Sequence, residues 1–193
     1  MSSDRLFRLA DAKDSDAVLK IYAPYVRDTV ISLELEVPSP KAFHKRVEGI
    51  VKQYPFVVCE TNGEMAGYAY AAMHRERTGY RYDVDVSVYT APEYFGRGIA
   101  RALYDRLFAL LAAQGYYNAY AGCNAKNRRS EAFHYKCGFK FAGAFHNAGH
   151  KFGEWHDVNW YEKTLREYDE IPAEIQPISG LPAEYVREVL SGC

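Results

Sequence analysis

The segment from Val84 to Leu111 constrains the fold of this chain more than any other. Its first part places apolar residues at every second position, which predicts a β-strand, and its last part repeats them at the spacing of a helix. The strand residues are Val84, Val86 and Val88, and the helical stripe is Ile99, Leu103, Leu107, Leu110 and Leu111. Gly96 and Gly98 lie at the junction of the two elements, and the helix is expected over residues 97–114.

A helix start at Gly96 and Gly98 favours the binding of an anion. The first backbone N–H groups of a helix have no partner inside it, and the helix dipole adds positive charge there. Because glycine lets a phosphate approach the backbone closely, the turn fits a pyrophosphate-bearing cofactor. It fits equally well a tight strand-to-helix turn with no ligand. A P-loop is excluded because its motif is absent, and the third glycine of Gly-x-Gly-x-x-Gly would fall at Arg101.

Length and composition limit the classes of protein to which the chain can belong. Its 193 residues fit one domain with a core of its own. The net charge of −1 argues against nucleic acid as a partner, and no apolar run approaches the ~20 residues that span a bilayer. The N-terminus lacks the apolar core of a signal peptide, so we expect a cytoplasmic protein without a membrane partner. Cys59, Cys123, Cys137 and Cys193 show no Cys-x-x-Cys spacing, and neither a metal site nor a disulfide framework is predicted.

Turn and proline signals predict the elements in the first half of the chain. Asn62-Gly63 indicates a two-residue hairpin between strands at 56–61 and 64–73. Ser39-Pro40 indicates the start of a helix, with a capping hydroxyl followed by proline at the first helical position. Pro24 is expected to kink or end the helix before it.

The second half of the chain completes an α/β domain with a mixed sheet. A strand at 118–123 follows the long helix and is expected to pair in parallel with the strand at 83–90. A final strand pair is expected at 139–145 and 154–165. The predicted order is β-α-α-β-β-β-α-β-α-β-β.

The composition changes after about residue 166. The segment 166–193 holds six acidic residues and two arginines, and three prolines interrupt it. The residues from Pro182 to Leu190 predict a short helix with Tyr185 and Val189 facing inward. We expect a main domain at 1–165 and an acidic C-terminal extension at 166–193, packed on the domain or on a neighbouring subunit.

Two separated motifs carry a family resemblance. The first reads Phe95-Gly-Arg-Gly98-Ile-Ala100, and the second reads Asn127-Arg-Arg-Ser130-Glu-Ala-Phe-His134-Tyr-Lys-Cys-Gly138-Phe139. With the order of elements they resemble the GNAT superfamily of acetyl-CoA-dependent N-acetyltransferases, whose cofactor motif is Gln/Arg-x-x-Gly-x-Gly/Ala. Phe95 departs from the first position of that motif. Four further stretches resemble the phosphinothricin acetyltransferase branch: Ile21-Tyr-Ala-Pro-Tyr-Val26, Gly67-Tyr-Ala-Tyr-Ala71, Ala113-Gln-Gly115 and Gly153-Glu-Trp-His-Asp-Val158.

The resemblance covers the chain from about Leu6 to Leu165. It implies a GNAT-type fold, with a mixed, mostly antiparallel central sheet flanked by helices, and it implies a homodimer. Acetyl-CoA is the implied acetyl donor, with its pyrophosphate on the backbone of the glycine turn and its pantetheine arm along the preceding strand. The implied cofactor-binding residues are Val88, Tyr89, Thr90, Gly96, Arg97, Gly98, Ile99, Ala100, Arg101 and Asn127.

Acetyl transfer needs a base, because a protonated amine has no lone pair with which to attack. Asp85 lies on the predicted strand where the phosphinothricin branch carries a catalytic glutamate, on the face opposite Val84 and Val86. Aspartate is one methylene shorter, so a bridging water is an option, and the residue also fits an exposed strand carboxylate without a catalytic role. His134 is the second catalytic candidate, because the phosphinothricin branch often has a histidine at this position that is named as catalytic with the glutamate. It is spaced to share a helix face with Asn127 and Ser130, and histidine exchanges protons near neutral pH. It also fits a histidine that packs beside the cofactor without proton transfer.

Candidate substrate residues follow the third strand. The phosphinothricin branch contacts acidic groups of its substrate at the positions of Arg75, Arg77 and Tyr80, and arginine matches carboxylate or phosphinate with two parallel hydrogen bonds. A solvated basic loop is an equally good interpretation of these residues. His156, in Trp-His-Asp-Val, is a candidate for the amine pocket and also fits a structural role.

Together these features predict an acetyl-CoA-dependent N-acetyltransferase. Its expected substrate is a small amino acid or analogue with a second acidic group, of the phosphinothricin or methionine sulfoximine type, and no metal takes part. Two alternatives stay open: a peptide or protein N-acetyltransferase, and a non-catalytic acyl-CoA-binding module. Phe95 and Asp85, which both depart from the family pattern, keep the second alternative open.

Overall fold

A computed structural model describes residues 5–192, and seven strands and five helices lie within this part of the chain. The strands are β1 (Arg5–Leu9), β2 (Phe56–Thr61), β3 (Glu64–Met73), β4 (Asp83–Thr90), β5 (Asn118–Asn124), β6 (Lys140–Lys151) and β7 (Glu154–Thr164). The helices are α1 (Ser15–Asp28), α2 (Pro40–Gln53), α3 (Ile99–Gln114), α4 (Arg128–Lys136) and α5 (Ala183–Ser191). Within residues 5–192, none of the helices combines the length and the apolar character needed to cross a membrane.

The strands form one mixed sheet in the order β1-β2-β3-β4-β5-β7-β6. All neighbouring strands pair antiparallel except β4 and β5, which pair in parallel because α3 connects them. The predicted α/β fold, a mostly antiparallel sheet flanked by helices, is therefore confirmed.

Each face of the sheet carries its own apolar core. On one side, here called the α3 face, Val84 and Val86 of β4 are buried with the apolar stripe of α3. On the other side, the α1/α2 face, Tyr68 of β3 is buried with Val18 of α1 and with residues of α2. Because successive side chains of a strand point to opposite faces, Asp85 projects to the α1/α2 face.

β4 and β5 separate part-way along their length. Their parallel pairing covers only residues 83–85 opposite 118–120. Beyond that point β4 stays paired with β3 as far as Thr90, and β5 stays paired with β7 as far as Asn124. A gap therefore opens between the facing edges of residues 86–90 and 121–124, and we call it the β4–β5 cleft.

Two helix boundaries differ from the predicted ones. Pro24 lies inside α1, which continues to Asp28. Proline removes only one helical hydrogen bond here, and Val26 beyond it is fully buried, so tertiary packing holds the last turn. α3 begins at Ile99, two residues later than predicted, because Gly98 adopts a left-handed conformation with φ 79°.

β6 is longer than predicted. The predicted strand ends at Phe145, whereas β6 continues to Lys151 and pairs with β7 on both sides of a bulge. The register shifts between Phe145 and Gly149, where β6 holds more residues than the facing part of β7. Such a bulge breaks the alternation of side chains, so the pattern of the sequence does not reveal the second half of the strand.

The acidic segment packs back on the core of the α3 face. Leu181 is buried there, and Tyr185 and Val189 of α5 pack against the same cluster. The side chain of Arg106, in α3, donates from Nε to the backbone oxygen of Leu190 at 2.9 Å. This segment therefore shares a core with the strands and α3.

The cysteines of the described part are buried thiols. Cys59, Cys123 and Cys137 are free, and Cys193 lies outside the described residues. Burial raises the pKa of the Cys137 thiol to about 11, which keeps it protonated at neutral pH. Between residues 5 and 192, no three His, Cys, Asp or Glu side chains form a group that could hold a metal ion.

Candidate active site

A histidine and a carboxylate form a close pair on the α1/α2 face. Oδ1 of Asp85 lies 2.6 Å from Nδ1 of His74. Asp85 is in the middle of β4, opposite Ala72 of β3, and His74 follows β3 directly. The antiparallel register therefore places the histidine diagonally across from the carboxylate.

Aromatic rings hold His74 in place. Its ring stacks on Tyr120 of β5, with the centroids 4.3 Å apart and the planes at 18°. Trp160 of β7 and Tyr80 approach it edge-on at 6.1 and 6.3 Å. The side chain of His74 is only 11% exposed and that of Asp85 is 36% exposed, so the pair is partly buried, with the histidine the more enclosed of the two. Burial raises the pKa of the Asp85 carboxyl, and the hydrogen bond to His74 opposes part of that rise.

His74 was missed from the sequence. It belongs to no motif and lies just beyond the end of a strand, where a histidine carries no signal of its own. The one usable signal is the pairing of β3 with β4, because this register brings the residue after Met73 to Asp85. That signal appears only after the two strands have been aligned in space.

A cavity of about 330 Å³ adjoins the His74–Asp85 pair, and we call it the His74 cavity. Its lining consists of His74, Arg75, Tyr120, Ala142, Gly143, Phe145 and Trp160. The indole Nε1 of Trp160 is buried and has no hydrogen-bond partner within the described residues. Buried N–H groups are rarely left unpaired, so this nitrogen is an unusual feature of a residue that lines the cavity.

Three of the four predicted substrate residues line a second, larger cavity of about 450 Å³, here called the Arg77 cavity. Arg77 and Tyr80 contribute to it, and Arg75 lines both cavities. The guanidinium of Arg75 lies 5.7 Å from the ring centroid of Tyr80. Of the predicted substrate residues, the structure thus brings Arg75 to the His74–Asp85 pair and places Arg77 at the neighbouring cavity.

The glycine turn has the geometry expected of an anion site. Gly96 and Gly98 both have left-handed backbones, with φ of 75° and 79°, and a Cβ added at either would meet no atom within 4 Å. Gly98 is the N-cap of α3, so the N–H groups of residues 99–101 are those of its first turn. The space in front of this turn is therefore open for a ligand to approach the backbone.

The charged side chains of the turn are engaged with the protein. Arg101 bonds Asp105 at 2.8 Å and the backbone oxygen of Lys136 at 2.7 Å, and the guanidinium of Arg97 lies 5.2 Å from the ring centroid of Tyr94. Backbone groups thus remain the main contacts of this turn for an anion.

A cation from α4 lies over Phe95, the residue that departs from the first motif. The guanidinium carbon of Arg129 is 4.3 Å from the ring centroid of Phe95, whose side chain stays 40% exposed. Phe95 follows β4, and Arg129 belongs to α4, which follows β5. The pair therefore spans the open end of the β4–β5 cleft.

Two asparagines lie where β5 gives way to α4. Asn127 caps the helix, and its Oδ1 accepts from the backbone N–H of Ser130 at 3.1 Å. Asn124 accepts from the N–H of Lys126 at 2.9 Å, whereas its Nδ2 is buried without a partner in the described part of the chain. Asn124, which sequence reasoning missed, thus adds a polar donor at the end of the strand edge that lines the cleft.

His134 is buried on the α3 face. Its Nδ1 lies 2.8 Å from the backbone oxygen of Ser130, and its Nε2 lies 3.4 Å from the hydroxyl of Tyr104. A carbonyl oxygen only accepts, so Nδ1 carries the hydrogen and Nε2 accepts from Tyr104. The ring stacks on Tyr161 at 5.6 Å, and burial lowers the pKa of His134, which favours the neutral imidazole. The structure does not bring His134 to the His74–Asp85 pair.

His156 bonds within the β6–β7 hairpin, to the lysine that joins the hairpin to the end of α1 and the loop after it. Its Nε2 donates to the backbone oxygen of Lys151 at 3.0 Å. The ammonium of Lys151 is itself buried and donates to the backbone oxygens of Val26 and Ser32 at 2.6 and 2.8 Å. Nδ1 of His156 is buried without a partner among the described residues. Nε2 of His156 therefore makes a structural contact, whereas Nδ1 has no hydrogen-bond partner within residues 5–192.

The chain matches a known domain family and resembles enzymes of known activity. The Acetyltransferase (GNAT) domain family matches residues 7–160. The phosphinothricin N-acetyltransferase of Streptomyces coelicolor is 34% identical over 157 residues, which are 79% of this chain and 92% of the relative. The L-methionine sulfoximine/L-methionine sulfone acetyltransferase of Salmonella typhimurium is 30% identical over 164 residues, or 83% of this chain and 95% of the relative.

A solved structure shares the fold. It is a GNAT superfamily phosphinothricin acetyltransferase from Sinorhizobium meliloti in complex with acetyl-CoA, with a TM-score of 0.81 and 31% identity over 93% of this chain and 96% of that one. The relatives confirm the predicted enzyme class, the acetyl donor and the resemblance to the phosphinothricin branch. With the glycine turn and the cleft between β4 and β5, the match over residues 7–160 shows that the chain belongs to the GNAT acetyltransferase family.

Proposed function

We propose that this protein transfers the acetyl group of acetyl-CoA to the amino group of a small amino acid analogue of the phosphinothricin or methionine sulfoximine type. The observation that carries the proposal is the partly buried His74–Asp85 pair, which adjoins a cavity that is also lined by an arginine. The substrates that the related enzymes are named for support the choice of amine.

The residues of the cleft fit acetyl-CoA, which supplies an activated acetyl thioester when it is bound. The left-handed backbones of Gly96 and Gly98 leave open space in front of the first turn of α3, as a pyrophosphate requires. We propose that the backbone from Gly96 to Arg101 holds the phosphates and that Val88, Tyr89 and Thr90 hold the pantetheine arm with their free edge. Asn127 is proposed to contact the same arm. Arg129 adds a cation beside Phe95, where the family motif has glutamine or arginine.

The proposed chemistry needs a base for the amine. We propose that Asp85 supplies the negative charge of that base, and its contact with His74 supports action at a distance by a carboxylate one methylene shorter than glutamate. His134 lies on the other face beside Tyr104, and we propose that it serves the sulfur side of the cleft. Its role in proton transfer stays a prediction.

Arg75 is the proposed ligand for the second acidic group of the substrate. It lines the His74 cavity, and its fork of N–H donors matches a carboxylate or a phosphinate. Arg77 and Tyr80 extend the same basic surface into the Arg77 cavity. We propose that His156 shapes the substrate site from the side of the β6–β7 hairpin.

Purified protein tests the proposal in an assay that measures thiol release from acetyl-CoA. Phosphinothricin and methionine sulfoximine should both release CoA, and methionine and a short peptide serve as comparison amines. Acetylation of the peptide alone would favour a peptide N-acetyltransferase. Calorimetric binding of acetyl-CoA without release with any amine would favour a non-catalytic acyl-CoA-binding module.

Three further expectations belong to the proposal: the oligomeric state, the cellular location and the domain boundary. We propose a homodimer, which the exposed aromatic side chains of the β6–β7 hairpin support: Phe145, Phe152 and Trp155 are each more than half exposed. Analytical ultracentrifugation measures this state directly. A cytoplasmic location and a boundary near residue 165 between the acetyltransferase domain and the acidic extension complete the proposal.

A further inference from the structure

The contact between Asp85 and His74 defines where the proton of the histidine lies. At 2.6 Å, Oδ1 of the carboxylate and Nδ1 of the ring share a hydrogen. An ionised carboxylate only accepts, so Nδ1–H donates, and the second nitrogen of a neutral imidazole, Nε2, then carries a lone pair. The contact thus fixes the tautomer of His74 that leaves Nε2 able to accept a proton.

Nε2 of His74 is available to a ligand. Within residues 5–192, the side chain of His74 hydrogen-bonds only to Asp85, and the ring lines the His74 cavity. The ring is fixed by its stacking on Tyr120 and by Trp160 on its edge. A group held in this way reacts from one defined position, which lowers the cost of orienting it.

The charged and titratable groups around His74 come from three elements. Asp85 faces it from β4, Tyr120 from β5, and Arg75 and Tyr80 from the loop after β3. Asp85 is the carboxylate that bonds the ring, whereas Asp83, on the same face of β4, accepts from Nδ2 of Asn118 at 2.9 Å. The carboxylate of Asp85 therefore reaches the cavity through the imidazole.

We propose that Nε2 of His74 is the general base of the acetyl transfer and that Asp85 is a positioning residue that orients the ring and stabilises its protonated form. This proposal rests on the proposed function and assigns a catalytic atom to it. It is the arrangement in which a histidine takes the proton while a carboxylate holds the other ring nitrogen.

The amine substrate arrives as an ammonium group and must lose a proton before it attacks the thioester. Nε2 of His74 takes one proton from the ammonium group, which gives a neutral amine and an imidazolium. The amine nitrogen then forms the C–N bond at the thioester carbonyl carbon, the C–S bond breaks, and a second proton of the nitrogen ends on the sulfur. The imidazolium returns its proton to water, so one amide, one thiol and one proton leave the site.

Two variants of His74 test the proposal, with a matched control. His74→Gln keeps a polar side chain of similar size, and His74→Ala leaves room for added imidazole. His146→Gln removes a second His–Asp contact, the exposed 3.0 Å pair of His146 and Asp157, and serves as the control. Thermal melts and calorimetric binding of acetyl-CoA show whether each variant is folded and still holds the donor.

We expect kcat to fall about 100-fold or more in both His74 variants, while acetyl-CoA binding changes little, because general base catalysis contributes about that much. Added imidazole should restore part of the activity of His74→Ala. Activity should also recover as the pH rises, because a larger fraction of the amine is then neutral without the help of a base. The control should behave like the unchanged protein.

A measurement without turnover separates this proposal from the proposed function. Nitrogen NMR of the histidine side chains should show Nδ1–H and a bare Nε2 for His74, assigned by comparison with His74→Gln. The opposite tautomer, or a His74→Gln enzyme with near-normal kcat while Asp85→Asn is inactive, would overturn the proposal in favour of direct action by the carboxylate. If the unchanged protein acetylates no amine, the proposed function fails, while the NMR result still reports the tautomer.

Discussion

Asp85 of β4 and His134 of α4 lie on opposite faces of the central sheet. Asp85 bonds His74 on the α1/α2 face, whereas His134 is buried on the α3 face between Tyr104 and Tyr161. The β4–β5 cleft, where we propose that acetyl-CoA binds, is where the sheet opens between these faces. We therefore propose that the two residues serve different sides of the reaction, Asp85 the amine side and His134 the sulfur side.

The first prediction concerns Asp85→Ala. Removing the carboxylate frees the His74 ring to rotate and leaves its protonated form unstabilised, so kcat should fall about 100-fold or more. Binding of acetyl-CoA should change little, because Asp85 faces the amine side. Steady-state kinetics and calorimetry measure the two effects, and Asp157→Ala is the control, since this carboxylate is exposed and pairs with His146. A larger loss of affinity than of turnover would contradict a catalytic role.

The second prediction compares two glycines with the same backbone. Gly98 and Gly63 both have φ 79°, and a Cβ at either meets no atom within 4 Å. Alanine at either position should therefore cost about 1 kcal/mol of the free energy of unfolding. Only Gly98→Ala places a methyl group in front of the first turn of α3, so it alone should weaken acetyl-CoA binding, by about tenfold. Equal binding by the two variants would show that the phosphates lie elsewhere.

The third prediction concerns the cation over Phe95. Within residues 5–192 Arg129 bonds no carboxylate, whereas its neighbour Arg128 pairs with Glu131 at 2.8 Å. Arg129→Ala should raise the Kd of acetyl-CoA about fivefold to tenfold and reduce its salt dependence, because a free guanidinium binds phosphate strongly. Arg128→Ala is the control and should change neither quantity.

A shortened acetyl donor provides a further test of whether Arg129 binds the phosphates of acetyl-CoA. Acetyl-pantetheine keeps the thioester but lacks the nucleotide phosphates. If Arg129 holds those phosphates, the variant should bind this analogue as well as the unchanged protein does. A loss of affinity for both donors to the same extent would point to a structural role for the Arg129–Phe95 contact.

The sequence predicted secondary-structure elements correctly where the signal for them lies within a few residues. Asn62-Gly63 and the Ser39-Pro40 helix start act within a few residues, and both elements form as predicted. Asp85 was identified through the resemblance to the phosphinothricin branch, which has a catalytic glutamate at this position, and alternation with Val84 and Val86 predicted only its face of the sheet. His74 was missed because its partner lies eleven positions away, across a strand register that no local pattern encodes. The sequence did not show that Asp85 and His134 lie on opposite faces of the sheet. Helical spacing predicts that α4 forms, but not the side of the sheet on which it packs.

The fourth prediction concerns substrate recognition by Arg75. Arg75→Gln should raise the KM for phosphinothricin about tenfold or more, because a bidentate charged contact is lost, and should leave acetyl-CoA binding unchanged. An amine without a second acidic group should show little change in KM. Lys126→Gln is a control for the loss of one positive charge, since Lys126 forms an exposed pair with Glu154. A uniform rise in KM for both amines would place the arginine outside the acid-binding site.

The last prediction follows from the buried imidazole of His134. Burial lowers the pKa of His134 in the folded protein, whereas in the unfolded chain it returns to about 6.5. Below that value the unfolded state binds more protons than the folded one, so the folded state loses stability as the pH falls, by at most about 1.4 kcal/mol per pH unit for this group. His134→Phe removes this contribution, although it also costs stability at every pH by leaving the buried Tyr104 hydroxyl without its partner. Urea unfolding at pH 7.5, 6.5 and 5.5 should therefore show a difference between the two proteins that shrinks as the pH falls. A difference that stays constant across this range would mean that the histidine titrates alike in both states.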